Sequence, residues 1–209
     1  MKRNYFLAAI FLFIVFGVQA QQNTDWIPLF NDDLSNADYP AGVWSIEDGV
    51  ITATEDQCIW TQKEYENFIL ELEFKTAEGT NSGVIVYCTD TANWIPNSVE
   101  IQIADDFAKQ WAEADKTWQC AAIFGHLAAK ESRVKKPGEW NKMIVACKDK
   151  IIHVVLNGST VTEMNMSLWT SGTKNPDGSD IPSWLSTPFA KFLSLIPLGA
   201  PPGRVRGRL

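Results

Sequence analysis

Val99-Glu100-Ile101-Gln102-Ile103-Ala104 alternates apolar and polar residues with a period of two, and no other feature constrains this chain as tightly. A two-residue repeat sends successive side chains to opposite faces of a strand. Val99, Ile101 and Ile103 therefore enter a core, while Glu100 and Gln102 stand together on the other face. Asn67 to Lys75 repeats the pattern, with Phe68, Leu70, Leu72 and Phe74 on one side and Glu71, Glu73 and Lys75 on the other. Strands with one dry and one wet face belong to antiparallel sheets. A carboxylate beside a carboxamide suits gripping hydroxyl groups or moving a proton, although any solvated strand face carries similar residues.

The remaining segments agree with an all-β chain. Trp44-Ser45-Ile46 and Val50-Ile51-Thr52-Ala53 flank Glu47-Asp48-Gly49 as a hairpin, and Cys58-Ile59-Trp60-Thr61 is a short strand. A turn through Gly79-Thr80-Asn81-Ser82 leads into a strand from Gly83 to Cys88. Asn141 to Cys147, Ile151 to Leu156 and Thr160 to Met164 are joined by Asp149-Lys150 and by Asn157-Gly158, the latter a type I′ hairpin signal. Residues 105–138 read as a long loop with a turn or two of helix between Ala108 and Ala114, and long loops in compact domains are often functional. No helix is long enough to cover a parallel sheet. The expected fold is a sandwich of two antiparallel sheets.

The first twenty residues have the form of a secretory leader. Lys2 and Arg3 precede an apolar run from Phe6 to Val18, and Val18-Gln19-Ala20 is a small-x-small cleavage signal. No cysteine follows it, so no lipid anchor is expected. The expected location is the periplasm or the cell exterior, with no membrane attachment after cleavage. About 189 residues then remain, enough for one domain, placed at residues 21–191. Loss of Lys2 and Arg3 takes the formal charge from −7 to −9, which disfavours nucleic acid as a partner. Cys58, Cys88, Cys120 and Cys147 form no C-x-x-C pair, which argues against structural zinc and leaves one unassigned disulfide open. Nine tryptophans are many for this length. They serve as core filling or, outside periodic strands, as platforms for the C–H faces of sugars. Residues 192–209 carry three prolines and three arginines and are expected to be a poorly ordered tail.

Several pieces in order resemble one family. They are Trp26-Ile27-Pro28-Leu29-Phe30-Asn31, Trp44 to Ile51, Ile59-Trp60-Thr61 with Tyr65, Phe68 to Phe74, Asn81-Ser82-Gly83-Val84, Glu100-Ile101-Gln102-Ile103, Gly138-Glu139-Trp140-Asn141 and Leu156-Asn157-Gly158. Together they resemble the 3-keto-disaccharide hydrolase family over roughly residues 26–190. The resemblance implies a concanavalin-A-like jelly-roll sandwich with a sugar groove on its concave sheet. Members continue after a stretch like Ser186-Thr187-Pro188-Phe189-Ala190 with a glycine-rich segment and a closing strand. This chain lacks that pattern, so the closing C-terminal strands are expected to be missing.

The family chemistry implied is that of a 3-keto glycoside. The ketone acidifies the hydrogen on C2, a base removes it, the substituent on C1 departs, and water adds back. Such a site needs a base, an electrophile for the C3 oxygen and a proton donor, and a divalent metal ion is one candidate electrophile. Glu100 is the first candidate for base or metal ligand, and Gln102 for binding a hydroxyl. Asp105 is the preferred acid of the Asp105-Asp106 pair, and turn formation is its alternative. His126 is a candidate acid/base, electrophile or metal ligand. His153 reads as a packed or edge-facing residue. Asn81, Trp140 and Asn141 are candidate sugar contacts, with turn formation or a strand cap as the alternative, and Trp94 is a candidate wall of the groove. Lys130 reads as solvated.

Two rivals stand beside this reading. A conventional glycosidase needs two carboxylates across the glycosidic bond, and the alternate positions Glu100, Gln102 and Ala104 hold only one. A non-catalytic carbohydrate-binding module, or a scaffold with a vestigial groove, is compatible with the same fold. The sugar, its linkage and the oligomeric state are not legible in the sequence.

Overall fold

The structure, a computed structural model, describes residues 26–185 and 203–208. The expected leader and residues 192–202 lie outside the described residues. Twelve strands are described: β1 (Ile27–Pro28), β2 (Ala37–Asp38), β3 (Trp44–Glu47), β4 (Val50–Ala53), β5 (Trp60–Thr61), β6 (Phe68–Lys75), β7 (Asn81–Val86), β8 (Val99–Ala104), β9 (Trp140–Lys148), β10 (Ile151–Leu156), β11 (Ser159–Asn165) and β12 (Gly203–Arg208). One short helix, α1 (Lys109–Ala112), lies between β8 and β9. This is the expected all-β sandwich.

One layer is a six-stranded sheet in the order β1-β12-β6-β9-β10-β11. Its inner face is built by the period-two residues. Leu70, Leu72 and Phe74 of β6, Met143, Val145 and Cys147 of β9, and Ile152, Val154 and Leu156 of β10 are all buried. The second layer is the antiparallel pair β7–β8. Val99, Ile101 and Ile103 project from it into the same core cluster. Each such side chain contributes about 1.5–3 kcal/mol by leaving water. The small hairpin β3–β4 and the pair β2–β5 complete the described sheets.

The second layer is wider than its named strands. Phe124 N–H donates to Glu100 O at 2.9 Å, Gln102 N–H to Ala122 O at 2.9 Å, and Ala121 N–H to Gln102 O at 2.8 Å. Residues 121–124 thus pair with the edge of β8 opposite β7, with Ile101 bridged to Ile123. Part of the segment read as loop is therefore sheet. Thr162 Oγ1 donates to Ala121 O at 2.6 Å and pins this stretch to β11 of the other layer.

Turns follow their chemistry. Asn157 (φ 49°) and Gly158 (φ 86°) both take positive φ, as a type I′ turn requires. The tail departs from expectation at its end. Gly203–Arg208 runs as a strand, parallel to both β1 and β6. The alternation of Arg204, Arg206 and Arg208 is the period of a strand, which a reading based on prolines and charge passed over. Among the described residues the four cysteines are free thiols, so the open disulfide is not formed.

Candidate active site

The wet face of the β7–β8 pair lines an open groove of roughly 1470 Å³, which also takes in Val84 and Val86 of β7 and Phe68, Leu70 and Leu72 of β6. Register decides who meets whom there. Ile85 lies opposite Glu100, Gly83 opposite Gln102 and Asn81 opposite Ala104. These residues share one face, as the alternation of β8 demands. Asn81, Trp94, Glu100 and Gln102 all line the groove, so four of the eight candidates are brought together.

Glu100 is the centre of the group. Its side chain lies across Gly83 on the neighbouring strand, and a Cβ added at Gly83 would collide with the carboxylate. The glycine is thus a cradle, and it was missed in the sequence because its meaning depends on the β7–β8 register. Burial pushes the Glu100 carboxyl up to about 7, and the nearby Asp56 carboxylate adds to the rise. A carboxylate with that pKa is a usable base near neutral pH. Asp56 also lines the groove and was not among the sequence candidates, because it comes from the irregular segment after β4.

Gln102 is only 1% exposed. Its Nε2 donates to Asn81 Oδ1 at 3.0 Å. This bond fixes both amides and directs the Asn81 amino group as a donor at the groove edge. Phe124 and Trp184 are among the aromatic residues of the groove that were not site candidates. Phe124 pairs across from Glu100 because residues 121–124 join the sheet. An apolar run such as Ala121-Ala122-Ile123-Phe124 carried no alternation by which to place it.

The other four candidates do other work. His126 does not line the groove and is 5% exposed. Its ring is buried in the fold and bonded to the Asn175 side chain, and burial holds its pKa down to about 4. Asn175 in turn accepts from Trp169 Nε1 at 2.8 Å. The histidine therefore packs the 169–181 segment against the sheet, and its assignment as groove acid/base or metal ligand is corrected. Asp105 is buried too: Gly79 N–H donates to Oδ2 at 2.9 Å and Phe107 N–H to Oδ1 at 3.1 Å. It closes the turn after β8 rather than reaching the groove. Asp106 accepts from Cys120 N–H and Ser132 Oγ in a similar structural role. Asn141 accepts from Lys135 N–H and Asn157 Nδ2, both at 2.8 Å, and organises a junction on the six-stranded sheet. Trp140, on the same strand, lies under the Lys75 ammonium at 5.1 Å. Neither lines the groove, which the six-stranded sheet reaches through β6 and not through β9.

Glu100 lines the groove and the buried His126 does not, so the two are not presented together on its surface. Among the described residues no group of three or more His, Cys, Asp or Glu side chains is placed to hold a metal ion. His153 is edge-facing, as expected, with Nδ1 at 3.4 Å from Glu163 on the adjacent strand.

The comparisons with known proteins bear on this groove. A family model for the 3-keto-alpha-glucoside-1,2-lyase-like domain, also called the 3-keto-disaccharide hydrolase domain, matches residues 25–190. The chain belongs to this family. A crystal structure of a putative glycosyl hydrolase from Parabacteroides distasonis is similar over 80% of this chain and 85% of that one, with 61% identity and a TM-score of 0.78. A second structure so described, from the same organism, covers 66% of this chain and 70% of its own, with 25% identity and a TM-score of 0.59. No curated protein matches. The concanavalin-A-like sandwich expected from the resemblance is the fold of the family, and the membership points to a glycosidase-type enzyme acting on carbohydrate.

Proposed function

We propose that this chain cleaves 3-keto glycosides by elimination and rehydration, with Glu100 as the base. The observation that carries the reading is a carboxylate raised to about 7, held over Gly83 at the floor of an open groove. Glu100 takes the proton from C2, and the electron pair left behind is delocalised onto the C3 oxygen as an enolate. The enolate then expels the C1 substituent, whose oxygen takes a proton from the protonated Glu100 or from water. Water adds to C1 of the enone, and C2 is reprotonated. The Asn81 amino group, oriented by Gln102, donates to the sugar oxygens at the groove edge. Trp94 walls the site. The family chemistry admits a divalent metal ion as electrophile, and Glu100 and Asp56 are two of the groove carboxylates that would be available to hold it.

One observation favours a second reading. Asp56 supplies the second carboxylate that the strand pattern lacked, which is what a conventional glycosidase requires. Incubation with a 3-keto disaccharide and with its unoxidised parent, with and without divalent metal, separates the two. Product from the keto sugar alone supports elimination. Cleavage of the parent supports the two-carboxylate mechanism. The leader-like form of residues 1–20 supports work in the periplasm or at the cell exterior, and the N-terminal sequence of protein recovered from those fractions, expected to start near Gln21, checks it.

A further inference from the structure

We infer that Phe124 and Trp184 form the subsite for the departing group on C1, and that they select a ring there over a small alkyl group. The inference rests on the proposed chemistry at Glu100 and deepens it. Phe124 is the cross-strand partner of Glu100, as its N–H to Glu100 O bond shows. Directly opposed residues of an antiparallel pair put their Cβ atoms about 4.5–5.5 Å apart on one face. That is the distance from one pyranose ring to the next, so a sugar whose C2 is at Glu100 has its C1 substituent within reach of the Phe124 ring.

The rings are held rather than loose. Phe124 and Trp184 have centroids 5.8 Å apart, and Trp118 lies behind both, at 5.5 Å from Phe124 and 6.4 Å from Trp184. Trp184 nevertheless remains 47% exposed and lines the groove. Gly125 explains its position. The glycine adopts φ +68° and has no Cβ where the Leu185 side chain sits, which brings the 182–185 turn down beside Phe124. A rigid aromatic surface that stays open to water, next to a half-buried carboxylate, is suited to the flat C–H face of a pyranose or to an aryl ring, and gives a methyl group little to pack on.

The test compares kcat/KM of the full chain on a 3-keto disaccharide and on methyl 3-keto-glucoside, for the native protein, Trp184→Ala and Trp184→Phe. Thermal melts confirm that each variant is folded. The disaccharide-to-methyl preference should fall about tenfold in Trp184→Ala and recover largely in Trp184→Phe. Equal loss on both substrates would place the keto ring itself on the platform, and no change would remove the platform from binding; either overturns the inference. If no variant turns over either keto sugar, the elimination chemistry fails. The subsite is then judged by calorimetric binding of phenyl and methyl glucosides, where Trp184→Ala must erase the phenyl preference for the inference to stand.

Discussion

Glu100 and Gly83 act as one unit. Gly83, diagonal to Glu100 on β7, has no side chain, so the carboxylate lies across it, half-buried against the sheet. Gly83→Ala should leave the fold intact, because the methyl group points to the groove, yet displace the carboxylate. The expected loss of kcat is about 100-fold, since a displacement near 1 Å is enough for that, and steady-state kinetics beside a thermal melt would show it. Burial of Glu100 also costs stability, with a definite sign. With its folded pKa near 7 and an ordinary value of 4.5, the folded protein keeps a proton that the unfolded chain has lost between those pH values. Stability therefore falls as pH rises through that window. Glu100→Gln should melt higher than the native protein at pH 8, by on the order of 1–3 kcal/mol, and the gap should close by pH 4.5. Melts at the two pH values decide it. Glu100 and Gln102 were legible in the sequence because alternation fixes which face a strand residue takes. His126 was not, because rarity and a neighbouring glycine say nothing about burial, and here the fold encloses the ring.

β8 is the element on which the site depends, and it is held from both sides, by β7 and by residues 121–124. That second neighbour brings Phe124 to Glu100. Its attachment across the sandwich runs through the buried Thr162 hydroxyl, 2.6 Å from Ala121 O. Thr162→Val removes the donor while keeping the shape, and leaves a buried carbonyl short of its partner. A loss of about 1–3 kcal/mol is expected, read by denaturant unfolding. Strands with clear alternation, such as β6, β8 and β9, emerged from sequence with their limits nearly correct, as did the Asn157-Gly158 turn. Residues 105–138 resisted because their partners are set by tertiary contact. Asp105 and Asp106 illustrate this: paired acids at a strand end read equally as site or turn, and backbone donors from Gly79, Phe107 and Cys120 settle them as turn and junction residues.

The sandwich as a whole divides its work by strand. The six-stranded sheet supplies most of the core, and the groove is lined by β7, β8 and the β6 side of that sheet, not by β9. Trp140 and Asn141 fell on the wrong side of that division because a motif in the sequence does not state its layer. β12 lies between β1 and β6 and pairs with β6 from Gly203↔Phe68 to Arg208↔Glu73. Removing residues 203–209 should strip that edge of β6 of its backbone partners and lower the melting temperature, whereas an unchanged melt would mean that β12 adds nothing to the sheet. The account as a whole stands on Glu100 being the group that takes the C2 proton. The pH profile of kcat/KM on a 3-keto disaccharide tests this, run for the native protein and for Glu100→Gln. The rate of the native protein should rise with pH to a midpoint near 7, following the raised carboxyl, and the glutamine variant should show no turnover above background. A flat profile across that range, or a glutamine variant that retains the native rate, would contradict it.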